Sequence, residues 1–139
     1  MTFKKDLEFG QIYERLFIEH ENLQNYKLSE GKFKEYDIID YDTNLKYEVK
    51  TDRLSHKTGN ICIEYQCNNK PSGINTTEAD YYIYFVLDGE DYTIYKIPVE
   101  TIKSMINNKS LKLKSVKGGD GYRSSLYLFK INLFNEYKY

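Results

Sequence analysis

Between residues 33 and 97 the chain is written in runs of strand length, and this spacing constrains the fold more than any other feature. Residues 33–40, 45–51, 60–66, 81–87 and 92–97 alternate apolar and polar side chains or run apolar and aromatic. Between them stand turn formers: Asp42 and Asn44, His56-Lys57-Thr58-Gly59, Pro71-Ser72-Gly73-Ile74-Asn75, and Asp88-Gly89-Glu90-Asp91. Such runs, bounded in this way, read as paired strands. Two segments break the pattern. From about Asp6 to Asn25, Phe9, Ile12, Tyr13, Leu16 and Phe17 recur at helical spacing, with Asp6 or Thr2 available as the N-cap. Residues 99–107 follow Pro98 and read as a short helix with Ile102 and Ile106 on one side. Residues 111–116 alternate again, Gly118-Gly119-Asp120-Gly121 reads as a flexible loop, and residues 127–133 read as a last strand or helix start. The expected fold is α+β (or α/β): a helix, a three-stranded meander over residues 33–66, further strands and a helix. A mixed central sheet flanked by helices satisfies that order.

With 139 residues the chain is expected to form one domain, 1–139, large enough for a single core. Hydrophobic residues at 40% and charged residues at 29% are an ordinary globular balance. No apolar stretch approaches the roughly 20 residues that span a bilayer, so no membrane partner is expected. The first residues, Met1 to Asp6, carry no apolar secretory segment, which points to a cytoplasmic, intracellular location. Cys62 and Cys67 lack the second ligand pair of a structural zinc site; Cys62, between Ile61 and Ile63, reads as a small buried thiol. The wealth of Tyr, Asn, Lys and Ile and the single alanine, Ala79, fit an AT-rich genome of phage or viral type, hence a host cytoplasm. Net charge is −1, which is not the overall footprint of a nucleic-acid binder. The charges are segregated, however. Acids crowd the first third up to Glu48, while residues 96–123 carry Lys96, Lys103, Lys109, Lys112, Lys114, Lys117 and Arg123 against Glu100 and Asp120.

The chemistry-bearing stretch is Tyr36-Asp37-Ile38 followed by Tyr47-Glu48-Val49-Lys50. Residues two apart in a strand share a face, so Glu48 and Lys50 project together while Tyr47, Val49 and Thr51 face away. If Asp42-Thr43 forms the hairpin loop, paired residue numbers sum to 85 and Asp37 lies opposite Glu48. If the loop is Thr43-Asn44, Asp37 lies opposite Lys50. Either register puts Asp37 on the Glu48/Lys50 face; a three-residue loop would reverse it, and Asp40 has the wrong parity. Two carboxylates on neighbouring strands can hold a hard divalent cation, with water and phosphate completing its shell. A lysine beside them can orient the attacking water or stabilise charge developing on phosphorus. On spacing alone, the commoner meaning of such a pattern is a cross-strand carboxylate–lysine pair on a wet face.

The surrounding sequence adds to this. Gly10-Gln11-Ile12-Tyr13-Glu14, Tyr36-Asp37-Ile38, Tyr47-Glu48-Val49-Lys50-Thr51-Asp52 and residues 58–65 resemble the PD-(D/E)XK nuclease superfamily, especially small phage or viral and Holliday-junction-resolvase-like members. The segment from Pro71 to Tyr82 resembles the same subgroup, and the likeness covers roughly residues 6–100. The resemblance implies a restriction-endonuclease-like core and a metal-dependent DNA endonuclease, a hydrolase working with Mg2+ or with Mn2+ in its place. It implies Asp37, Glu48 and Val49 as metal ligands, Lys50 as the catalytic lysine, and Glu14 as a helix glutamate that binds metal or orients water. Glu64 and Gln66, on the third strand, are secondary candidates. Tyr36 stands where the nominal motif has proline.

DNA is the expected partner, and phosphates need cations around the acids. Arg53 and Lys57 follow the motif strand, Lys70 precedes Pro71, and Lys117 and Arg123 bracket the glycine loop. A two-fold dimer is expected if both strands are cut symmetrically. The alternative from another class is a nuclease-like fold without catalysis that binds nucleic acid or another protein, for example as a phage-encoded inhibitor. The acidic balance favours it; the intact Asp37/Glu48/Lys50 set opposes it.

Overall fold

The computed structural model describes residues 3–30 and 35–139, with side chains from Phe9 onward except that of Asp120. It is a mixed α+β structure built in three layers. Helix α1 (Phe3–Glu21) covers one face of a five-stranded mixed sheet, and a four-stranded antiparallel sheet with helix α3 (Val99–Asn107) covers the other.

Helix α1 stops earlier than its apolar spacing predicts. Asn22 takes a left-handed conformation, φ 55°. The Leu23 N–H bonds the Ile18 carbonyl and the Asn22 N–H bonds that of Glu19, each at 3.1 Å. This Schellman arrangement satisfies the last carbonyls and turns Leu23 back onto Ile18's side of the core. At the other end, Asp6 lies inside the helix rather than capping it, and Thr2 lies outside the described residues.

The first sheet has the order β1 (Tyr26–Leu28), β2 (Ile38–Asp40), β3 (Leu45–Asp52), β6 (Tyr81–Asp88), β7 (Asp91–Pro98). Strands β1, β2 and β3 form an antiparallel meander, and β6 runs parallel to β3. The β2–β3 pairs Ile38↔Tyr47, Ile39↔Lys46 and Asp40↔Leu45 all sum to 85, the register of an Asp42-Thr43 centre. The turn is four residues long. The Asp40 carboxylate accepts the Asp42 N–H and the Thr43 hydroxyl, and Asn44 takes φ 65°. Asp40, the last residue of β2, thus braces the turn. Strand β2 is shorter than expected: residues 35–37 precede it, and residues 33 and 34 lie outside the described residues.

Strand β6 is apolar on both faces, as befits a strand covered on both sides. Ile83, Phe85 and Leu87 pack with Phe17, Ile38, Tyr47 and Ile94 beneath α1. Tyr82, Tyr84 and Val86 point the other way, into a core with Ile61, Ile63, Ile97, Ile102, Phe129 and Phe134.

Residues 60–66 form a strand, but not the third strand of the expected meander. Strand β4 (Asn60–Cys67) belongs to the second sheet, ordered β5 (Lys70–Pro71), β4, β9 (Ser124–Lys130), β8 (Lys114–Gly118). The connection from β3 to the parallel β6 thus crosses over through helix α2 (Ser55–Thr58), β4 and β5. The glycine stretch at residues 118–121 closes the β8–β9 hairpin through a short 3-10 turn, Asp120–Tyr122. The expected last strand or helix start over residues 127–133 is both in turn: β9 runs to Lys130, and residues 131–137 are 3-10 helix. Among the described residues no helix is long and apolar enough to cross a membrane.

Asp52 fixes the end of β3. One carboxylate oxygen accepts the Leu54 and Ser55 N–H groups at 2.7 and 2.9 Å, and the other accepts the Tyr84 hydroxyl at 2.7 Å. Burial raises its pKa, but the hydrogen bonds from Tyr84, Leu54 and Ser55 outweigh burial and leave it below the usual carboxylate value. A depressed folded pKa contributes stability that is present above the unfolded pKa and lost as pH falls through the folded one. The stability gap between wild type and Asp52→Asn is therefore expected to narrow as pH falls below about 5, through the unfolded value of about 3.9 and then the lower folded one, as measured by urea unfolding. A gap independent of pH would contradict this role.

Candidate active site

Glu48 and Lys50 lie on the face of β3 that carries Tyr82 and Tyr84 on its neighbour β6, as strand parity requires. Their partners Tyr47 and Val49 pack on the α1 side. Asp37 stands just before β2. Its N–H donates to the Tyr47 carbonyl at 2.9 Å, which continues the register and sets it opposite Glu48. Its carboxylate accepts the Val49 N–H at 2.7 Å, where β2 has not yet begun to pair with β3. Main-chain N–H and C=O of one strand residue point to the same side, so the Val49 carbonyl also faces the Asp37 edge.

Glu48 is held on both oxygens. Lys50 Nζ lies 3.6 Å from Oε1, and the Thr77 hydroxyl donates to Oε2 at 2.8 Å. The Glu48 side chain is 13% exposed and that of Lys50 46%. The lysine can therefore swing between Glu48 and a bound anion. Thr77 was not legible as a site residue, because it lies 29 residues away in an aperiodic loop.

These groups open into one cleft of about 950 Å³, lined among others by Glu14, Asp37, Glu48, Lys50, Glu64 and Lys70. Gly10 and Glu14 stand four residues apart in α1 and so share a helix face, and both line the cleft. The floor depends on Gly73, whose φ is +54° and whose position leaves no room for a side chain: an added Cβ would stand 2.1 Å from the Glu64 carbonyl oxygen. At the rim, a hydrogen bond and the charge of Glu78 hold the Glu35 carboxyl above its usual pKa.

Other candidates fare less well. Gln66 does not line the cleft; its amide reaches Asn69 instead. Arg53 has the parity of Val49 and stacks over the Phe9 ring of α1, its guanidinium 4.2 Å from the ring centroid. Lys57 is exposed on α2, outside the cleft lining. Lys117 donates to the Ser125 hydroxyl at 2.7 Å. Arg123 is exposed, and its carbonyl accepts the Asn68 N–H, which ties the β8–β9 tip to the turn leading to Lys70. Lys70 lines the cleft, and the Arg123 main chain lies beside Asn68 at the same end. His56 lies 3.6 Å from Asp88. Cys62 is half-buried rather than sealed in the core.

The donor set suits a hard cation: two carboxylates and a main-chain carbonyl, all oxygen. Among the described residues no three His, Cys, Asp or Glu side chains are grouped to enclose an ion. A cation here would rest on Asp37, Glu48 and the Val49 carbonyl, with water and substrate supplying the remainder, as magnesium prefers. No family model, no curated protein and no solved structure matches this chain.

Proposed function

We propose that this chain is a magnesium-dependent endonuclease that hydrolyses DNA phosphodiester bonds at Asp37, Glu48 and Lys50. The observation that carries the reading is the Asp37 carboxylate, pinned to the edge of β3 and sharing one open cleft with Glu48 and Lys50. The order of α1, the β1–β2–β3 meander and the parallel β6 supports a restriction-endonuclease-like core. The resemblance of the motif segments to resolvase-like enzymes supports the same reading.

When bound, the divalent cation supplies Lewis-acid polarisation of the phosphate and a bound water of lowered pKa. Manganese is expected to substitute for magnesium. Lys50 donates to the phosphate oxygen on which charge builds, worth most where water is excluded. Glu14 is buried at the cleft wall, and its proposed role is to orient the attacking water. Water oxygen bonds to phosphorus, the ester P–O bond breaks, and the leaving oxygen takes a proton. Cutting both strands symmetrically requires two copies of the site, hence a two-fold dimer.

The second reading, a non-catalytic binder, is favoured by the acidic balance and by one structural observation: both Glu48 oxygens already have protein partners. Calorimetry with manganese separates the two. The nuclease reading expects binding heat in the wild type and loss of most of it in Glu48→Ala; equal heats in both proteins contradict the ligand role.

Lys70 and Arg123 are assigned to substrate phosphates, replacing Lys117 and the Arg53/Lys57 loop. Each phosphate contact contributes about 0.9 to the slope of log affinity against log salt. In calcium, Lys70→Ala with Arg123→Ala is expected to flatten that slope by roughly two contacts' worth, while Lys117→Ala leaves it unchanged. The reverse pattern would place the DNA along β8.

A further inference from the structure

Beyond Lys50 the cleft continues into a smaller recess of about 240 Å³, walled by Asp52, Cys62, Glu64, Tyr82, Tyr84 and Leu126. Lys50 and Glu64 line both spaces, so the recess begins where the candidate catalytic groups end. Its walls set the two tyrosine rings, Ile63 and Leu126 against the charged Lys50, Asp52 and Glu64, so apolar surface for a planar ring stands beside polar groups that can bond its edge. Two of those groups are already engaged: the Tyr84 hydroxyl donates to Asp52 and lies 3.4 Å from the Cys62 N–H.

Tyr82 is different. Its side chain is only 2% exposed, yet among the described residues nothing hydrogen-bonds its hydroxyl. The hydroxyl is not sealed from solvent, and Tyr82 lines the recess. Burial, then the charges of Glu48, Glu64 and Asp37, push its pKa upward, so it remains a neutral donor.

We propose that this recess receives one unpaired nucleobase of the strand being cut, next to the scissile phosphate, with the Tyr82 hydroxyl hydrogen-bonding its edge. The volume falls below the roughly 300–1,000 Å³ of drug-sized sites, enough for one planar ring system and too little for a base pair. Placing a base there from continuous duplex costs a few kcal/mol of unpairing and unstacking, and least where the nucleotide is already unpaired. The preferred substrate is therefore a single strand, flap or gap. This rests on the nuclease reading and names the substrate of the same site.

Cys62 supplies a readout that needs no catalysis. Its alkylation by iodoacetamide, followed by peptide mass spectrometry, is expected to slow several-fold with thymidine or deoxyadenosine 5′-monophosphate. Deoxyribose 5-phosphate should leave the rate unchanged. Tyr82→Phe, which keeps the buried ring, should require several-fold more nucleotide for the same protection. On DNA, a gapped oligonucleotide should be cut roughly tenfold or more faster than the same sequence in continuous duplex. Equal alkylation with and without nucleotide, equal protection by the sugar phosphate, or equal cutting of gap and duplex each overturns the proposal. Failure of the nuclease reading looks different: no DNA is cut under any condition, whatever happens at Cys62.

Discussion

Lys50→Met, Glu48→Gln and Asp37→Asn are each expected to lower DNA cleavage by about 10²–10³-fold or more, the usual effect of removing one preorganised charge or donor from a reacting centre. The three changes should act on chemistry rather than folding. Lys50 is nearly half exposed and its ion pair with Glu48 is long, at 3.6 Å, so its removal costs little stability. Glutamine at 48 keeps an oxygen that can accept from Thr77. Asparagine at 37 keeps an acceptor for the Val49 N–H, whose loss would cost about 1 kcal/mol. Thermal unfolding should place all three variants close to the wild type while initial rates collapse. If Lys50→Met cuts at the wild-type rate, Lys50 is only the surface partner of Glu48.

Gly73→Ala is expected to be the most damaging small change in the cleft. The residue has φ +54°, which an alanine adopts only with strain, of order 1–3 kcal/mol. The new methyl would stand 2.1 Å from the Glu64 carbonyl oxygen, a rigid backbone atom that cannot turn aside. Overpacking of this kind typically costs a further ~1–3 kcal/mol. The loop carrying Ser72, Gly73 and Thr77 must move away from β4, and Thr77 then loses its place on Glu48. The expected result is a lower midpoint in urea together with weaker manganese binding. Gly89→Ala is the control: φ is +62° there, but nothing lies within 4 Å of the added carbon. It should show the backbone strain without the effect on metal. Similar manganese affinity in both variants would separate the loop from the site.

The part of the structure that carries the proposed chemistry was legible because it is local. Strand parity sufficed to put Glu48 and Lys50 on one face; of the two registers the sequence left open, the structure has the one that sums to 85, although the turn proved longer than two residues. Helical spacing likewise put Gly10 and Glu14 on one face. What escaped is long-range or short. Strand β1 has three residues, too few for a pattern. The alternation of Ile61 and Ile63 reveals a half-buried strand but not which sheet it joins. Thr77 and Tyr82 reach the site across the crossover, and no periodicity connects them to Glu48. The basic residues were chosen by closeness in sequence, which says nothing about faces. Arg53 shares the parity of Tyr47 and Val49, so its place against α1 could have been read from the strand itself.

The account is tested most directly by a time course on supercoiled plasmid, with wild type and Lys50→Met side by side, in magnesium, in manganese and in excess chelator. The wild type should nick or linearise the plasmid with either metal, stop completely in chelator, and resume when magnesium is restored. Lys50→Met should leave the plasmid supercoiled throughout. Cleavage that survives chelator, equal cleavage by both proteins, or an intact plasmid with wild type under every metal condition would contradict a metal-dependent nuclease at Asp37, Glu48 and Lys50.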